Sequence, residues 1–258
     1  MSLDKHADAL TQVSRPSRYI GGELGSICKA AAGIDLRIAL AFPDVYEVGM
    51  SYLGFPILYN ILNSLEWAAA ERIYSPWPDM EQWLRENDEP LRSLESNRGL
   101  VDFDVIAFTL QYELSYTNLL TMLQLSDLPL RRDQRAEDAP LIVVGGPCAY
   151  NPEPLAEFFD VALIGDGEEA IVELAEVVRR GKQEGWSRRQ LFDELATREG
   201  FYVPALFAIE YQDDGQLAAI KPLKEGYTKV RRRFLADLDA APFPTKPIIP
   251  FMQTVHNR

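Results

Sequence analysis

The residues best placed to do chemistry lie in four short loops, each following an apolar run: Asp44-Val45-Tyr46-Glu47-Val48-Gly49, Thr109-Leu110-Gln111, Gly145-Gly146-Pro147 and Gly165-Asp166-Gly167-Glu168. Asp44 offers a carboxylate, Tyr46 a phenol, and Gly49 a backbone without Cβ that can pass close to a ligand or adopt positive φ. Gly145, Gly146 and Pro147 present bare backbone, Thr109 and Gln111 supply short polar groups, and Glu168 and Glu169, after Gly167, open a helix. This is the chemistry of holding a ligand rather than of transferring protons. Structural roles account for the same residues: Asp44 as a loop cap, the glycines as tight turns, Thr109 as a local cap, and Glu168 as an acid favoured at a helix start.

The rest of the composition narrows the choice. Two cysteines, Cys28 and Cys148, and two histidines, His6 and His256, belong to no paired spacing, so neither a Cys-rich metal site nor a histidine-based triad is expected. Any catalysis must come from a bound cofactor or from outside the chain. A net charge of −13 argues against a nucleic-acid backbone as direct partner. The one dense basic run, Arg231-Arg232-Arg233, reads as a solvated or ion-paired linker face. No apolar run reaches the length of a membrane span and no signal-peptide core opens the chain; the cytoplasm is the default.

The elements that must position these loops follow from the apolar runs. Leu36–Phe42, Glu71–Tyr74, Asp104–Thr109, Leu141–Val144 and Val161–Ile164 read as buried strands. Helical segments centred on residues 57–62, 77–84, 116–125 and 171–180 alternate with them. Continuous apolar strands separated by helices predict a parallel sheet covered on both faces. Five such units give a flavodoxin-like, doubly wound α/β fold with order 2-1-3-4-5, and ligands of such sheets bind beyond the carboxyl ends of the strands. The strand ends at Phe42, Thr109, Gly145 and Gly165 are expected to line one edge.

Outside residues 18–200, two regions differ. Residues 1–17 are polar and expected to be loosely held. Residues 201–258 carry a β-hairpin around Asp213-Asp214-Gly215 and then Pro242, Pro244, Pro247 and Pro250, the punctuation of a stiff linker.

The order of these motifs resembles the N-terminal cobalamin-binding-type domain of radical S-adenosylmethionine proteins. Asp44-x-Tyr46-x-x-Gly49 is similar to the Asp-x-His-x-x-Gly loop of such domains, Thr109-Leu110-Gln111 to their Ser-x-Leu element, Gly145-Gly146 to their Gly-Gly pair, and Gly165-Asp166-Gly167-Glu168 to a Gly-Glu-Gly-Glu. The resemblance runs from Arg18 to the C-terminus. It implies a cobalamin cofactor whose nucleotide tail passes Thr109, Gln111, Gly145, Gly146 and Pro147, with Asp44, Tyr46, Gly49, Gly167 and Glu168 near the corrin or the helix start. It also implies a C-terminal radical domain in cis, holding a 4Fe–4S cluster and S-adenosylmethionine through cysteines this chain does not contain. Tyr46 stands where the cobalt-ligating histidine would be, and a neutral phenol with a pKa of about 10 is a poor ligand. The implied cofactor is therefore bound without a histidine beneath cobalt. The alternative is a degenerate docking or substrate-covering module without cobalamin. A phospho-receiver domain would want an aspartate near Thr109 and a lysine near Gly165, and a dinucleotide domain a glycine-rich first turn; neither is present.

Overall fold

The computed structural model describes residues 3–249. Its centre is a six-stranded sheet built from Leu36–Phe42 (β1), Ala68–Tyr74 (β2), Val105–Thr109 (β3), Leu141–Gly145 (β4), Val161–Leu163 (β5) and Phe201–Tyr202 (β6), in the spatial order β2-β1-β3-β4-β5-β6. The first five strands are parallel, and β6 pairs antiparallel with β5 through Ala162–Tyr202 and Leu163–Phe201. The flavodoxin-like order is the observed one, with one more strand than expected. That strand begins at Phe201, so the sheet continues past residue 200.

The pleat explains why the strands read as unbroken apolar runs. Leu36, Ile38, Leu40 and Phe42 enter the core on one face, while Ala39 and Ala41 enter the core on the other. The first face is covered by Gly54–Ser64 (α3), Ala170–Glu184 (α6) and Arg188–Leu195 (α7), the second by Leu3–Gln12 (α1), Pro78–Asn87 (α4) and Tyr116–Gln124 (α5). A short helix, Tyr46–Met50 (α2), follows β1 directly. Local chemistry fixes the ends: Pro56 sits in the first turn of α3, Gly185 closes α6 with φ 67°, and Ser187 with Gln190 forms a capping box on α7. No helix among the described residues is long and apolar enough to cross a membrane.

Every residue of β2 is buried, including Glu71 and Arg72, and buried charges require partners. Glu71 accepts hydrogen bonds from the hydroxyls of Ser93 and Ser96 at 2.6 and 2.5 Å. Arg72 forks onto Glu23 at 3.0 and 2.6 Å and reaches Glu95 at 2.6 Å.

The opening residues, expected to be loosely held, form α1, which buries Ala9 in the second core; Val13, just beyond the helix, is buried there too. Phe207–Tyr211 (β7) and Leu217–Pro222 (β8) form the separate antiparallel hairpin. Beyond Pro242 there is no regular element up to residue 249, yet Ile248 and Ile249 are buried and Ile248 O accepts the Gly25 N–H at 3.1 Å. Pro250, His256 and the remaining terminal residues, and the side chain of His6, lie outside the described residues.

Candidate functional site

A cavity of about 160 Å³ opens at the carboxyl edge of the sheet, between the strand ends and helices α3 and α6. It spans the point where the strand order reverses between β1 and β3, the usual ligand position in an open α/β sheet. Leu40, Leu58, Val143, Leu163 and Ile171 supply its apolar walls. Thr109, Gln111 and Glu168 supply its polar side chains, and Gly145, Gly146 and Gly167 its bare backbone. These six polar or glycine residues come from three separate loops, and the fold brings them together. Asp44, Tyr46, Gly49 and Pro147 are not among the lining residues.

The loops after β3 and β4 are zipped by two backbone hydrogen bonds, Leu110 N–H to Gly145 O at 2.7 Å and Cys148 N–H to Leu110 O at 3.2 Å. Gly146 is what permits this approach. Its φ is +94°, and a Cβ there would stand 2.6 Å from Leu110 O. Gly145 is different: the nearest atom to an added Cβ is Leu163 Cβ at 3.9 Å, so its missing side chain leaves space in the cavity.

Gln111 and Glu168 each bring the cavity an acceptor without a donor. Gln111 Oε1 is sealed from solvent and has no hydrogen-bond partner, a condition that costs about 1–3 kcal/mol when nothing relieves it. Glu168 is half-buried, and among the described residues its carboxylate makes no hydrogen bond or ion pair. No lysine, arginine or histidine lines the cavity. The site is therefore complementary to an uncharged or cationic donor group and has no side chain that would neutralise a phosphate.

Asp44 and Tyr46 are satisfied inside the protein. Asp44 Oδ1 accepts its neighbour's N–H from Val45 at 2.7 Å, and Oδ2 accepts a very short hydrogen bond from the Tyr112 hydroxyl. That bond to Asp44, with burial, raises the Tyr112 phenol to about 12. Tyr46 lies in α2, donates to Glu23 Oε1 at 2.8 Å and packs edge-on against Tyr74 with centroids 5.3 Å apart. Burial first, and then Glu23, push its pKa far above the ordinary phenol value, so it stays protonated. Gly49 is helical, and a Cβ there would overlap the Tyr74 ring. Its lack of a side chain serves this packing.

Gly165 serves a contact that the sequence reading missed. With φ +119°, it accepts the backbone of Arg233 so closely that any Cβ would overlap Arg233 O. Arg233 N–H donates to Ile164 O at 2.9 Å, and Asp166 N–H to Arg233 O at 3.1 Å. Asp166 also accepts the Leu235 N–H at 2.7 Å. The Arg233 guanidinium is held by Glu173 at 2.8 Å and Glu169 at 3.1 Å. Arg232 lies over the rings of Tyr150 and Phe234, at 5.3 and 4.4 Å. Residues 231–235 thus form a strap on the loop that also lines the cavity. The basic run, read as solvated or ion-paired, is in part the latter. The available signal was the pairing of that run with the acids after Gly165, but the two are nearly seventy residues apart.

Residues 54–204 match the family described as radical SAM proteins, N-terminal. That range holds the cavity residues from Thr109 to Glu168 and begins after the Asp44–Gly49 loop. Over 150 residues, 58% of the chain, it is 29% identical to an uncharacterised protein of Methanocaldococcus jannaschii, and the match covers 28% of that protein's length. The match thus spans under a third of this relative's length. No solved structure matches it.

Proposed function

The chain belongs to the N-terminal family of radical SAM proteins, and on that premise we propose that it is the cofactor-binding module of a larger radical S-adenosylmethionine enzyme, the cofactor being a cobalamin. The catalytic part is a C-terminal domain in cis with a 4Fe–4S cluster and S-adenosylmethionine. The observation that carries the reading is the cavity: a partly apolar slot with bare glycine backbone at the switch point of a flavodoxin-like sheet. Its residues fit the base and ribose of the cofactor's nucleotide tail, whose phosphate would lie outside the slot. Gly145 leaves room for a flat base against the strand ends, the Thr109 hydroxyl can donate to a base nitrogen, and Gln111 and Glu168 can accept from ribose hydroxyls or corrin carboxamides. Leu40, Leu58 and Leu163 give the slot apolar walls. When bound, a corrinoid supplies alkyl-transfer and one-electron chemistry at cobalt. No side chain of the Asp44–Gly49 loop takes part in ligation, because the Tyr46 hydroxyl is committed to Glu23.

Titration of the full-length protein with cobalamin, followed by absorbance and by electron paramagnetic resonance of the cobalt(II) form, tests this. The expected result is stoichiometric binding with the cofactor's own base displaced and no nitrogen superhyperfine splitting. An axial nitrogen signal would overturn the ligand-free site, and absence of binding would overturn the cofactor reading. A second reading, a docking or substrate-covering module without cobalamin, is favoured by one observation: Asp44, Tyr46 and Gly49 are all accounted for by contacts within the protein.

A further inference from the structure

Gln111 is the one polar side chain of the cavity with an end that is both sealed and unpartnered. Native proteins rarely leave such a group without a use. Among the described residues neither end of its amide meets a protein partner, so no hydrogen bond within the protein holds the planar group back from turning toward a ligand. A glutamine amide presents an acceptor and a donor side by side. The heterocyclic edge that complements both at once is an amino group next to a ring nitrogen, as on adenine. A benzimidazole edge carries no amino donor and would offer Oε1 no hydrogen bond from the base. The remaining surroundings favour a nucleoside entering base-first. Gly145 and Gly167 leave room for a flat ring, Glu168 offers an unpaired carboxylate to ribose hydroxyls in the way acidic residues do in related folds, and the absence of any lining cation leaves a phosphate better placed outside.

We infer that Gln111 makes this cavity a reader of adenine, so that it prefers an adenine-bearing ligand over one carrying dimethylbenzimidazole. Two sources share that chemistry: a cobamide whose lower base is adenine, and a free adenine nucleoside. The first rests on the corrinoid reading above; the second does not.

The experiment measures binding to the full-length protein of three probes: the adenine cobamide, cobalamin and adenosine. Each is titrated by absorbance or calorimetry against wild type, Gln111→Leu and Glu168→Gln. The expected result is a preference of roughly tenfold to a hundredfold for the adenine cobamide over cobalamin. Gln111→Leu should abolish the preference, while Glu168→Gln weakens both cobamides alike because both carry ribose. Gln111→Glu, which keeps the shape of the side chain but not its donor, should also lose the preference and guards against a folding defect in Gln111→Leu. Binding of adenosine alone, lost in Gln111→Leu, would uphold the adenine reading and overturn the corrinoid one. Equal or tighter binding of cobalamin, untouched by Gln111→Leu, would overturn the adenine reading and leave the corrinoid one standing. Binding of none of the three would overturn both.

Discussion

Tyr46 donates its phenolic hydrogen to Glu23 at 2.8 Å, and the same carboxylate is forked onto the fully buried guanidinium of Arg72. The loop residue that would be expected to face a ligand is thereby anchored to the interior of the edge strand. Burial alone would push the Glu23 carboxyl up, but Arg72 and Tyr46 outweigh it and hold the value below the ordinary one. Placing histidine at this position should not create a ligand in the cavity. Tyr46→His is expected to bind corrinoid with the wild-type cobalt spectrum while losing about 1 kcal/mol of stability from the broken hydrogen bond. Electron paramagnetic resonance and urea unfolding of the variant check both halves.

Arg72 neutralises two carboxylates, Glu23 and Glu95, with side-chain exposures of 12% and 1%. Its replacement by methionine leaves both without their cation in a dry environment. The expected loss is about 3–5 kcal/mol, the usual range when one partner of a buried pair is removed. A loss of less than a third of that amount, measured by urea unfolding, would show that the cluster is better hydrated than its geometry implies.

Gly165→Ala should release the strap. The substitution both strains a backbone at φ +119° and drives a Cβ into Arg233 O. Trypsin should then cut after Arg231, Arg232 or Arg233 well before the sheet is attacked, whereas the wild-type chain should resist at these bonds. Equal resistance of the two proteins would count against the strap's dependence on this glycine.

Acid should loosen the same strap. Hydrogen bonds from Arg233 hold the Glu173 carboxyl below its ordinary value. Because the folded value lies below the unfolded one, the clamp's contribution is complete above the ordinary carboxylate range of about 4.3. It disappears as pH falls through the lowered value. Hydrogen exchange at Arg233 and Leu235, corrected for the intrinsic rate, should show protection at neutral pH that is lost below about pH 4. Glu173→Gln should show the reduced protection at both.

Much of this fold was legible because burial on both faces writes itself as uninterrupted apolar sequence: Leu36–Phe42, Val105–Thr109 and Leu141–Gly145 could scarcely be anything but interior parallel strands. The edges were harder. β2 begins at Ala68, three residues before the expected start, because alanines carry little strand signal, and its Glu71 and Arg72 hide their burial behind partners distant in sequence. β6 is two residues long and has no period to detect. For the site, the glycines were visible but their reasons were not. Gly49 answers to Tyr74, Gly146 to Leu110, and Gly165 to Arg233, and only the first of these pairs is even moderately close in sequence. Gln111 was visible as a loop residue, but its missing hydrogen-bond partner is a property of three-dimensional packing.

The five residues from Gly165 to Glu169 face two ways. Gly167 and Glu168 border the cavity, while Asp166 and Glu169 hold the strap. A segment this short cannot relax toward one side independently of the other. Thermodynamic linkage then sets a symmetrical rule: whatever free energy a cavity ligand adds to the strap's attachment, a pull on the strap must subtract from the ligand's affinity. Anything joined to the chain after Leu235 therefore has a mechanical handle on the cavity without touching what lies inside it.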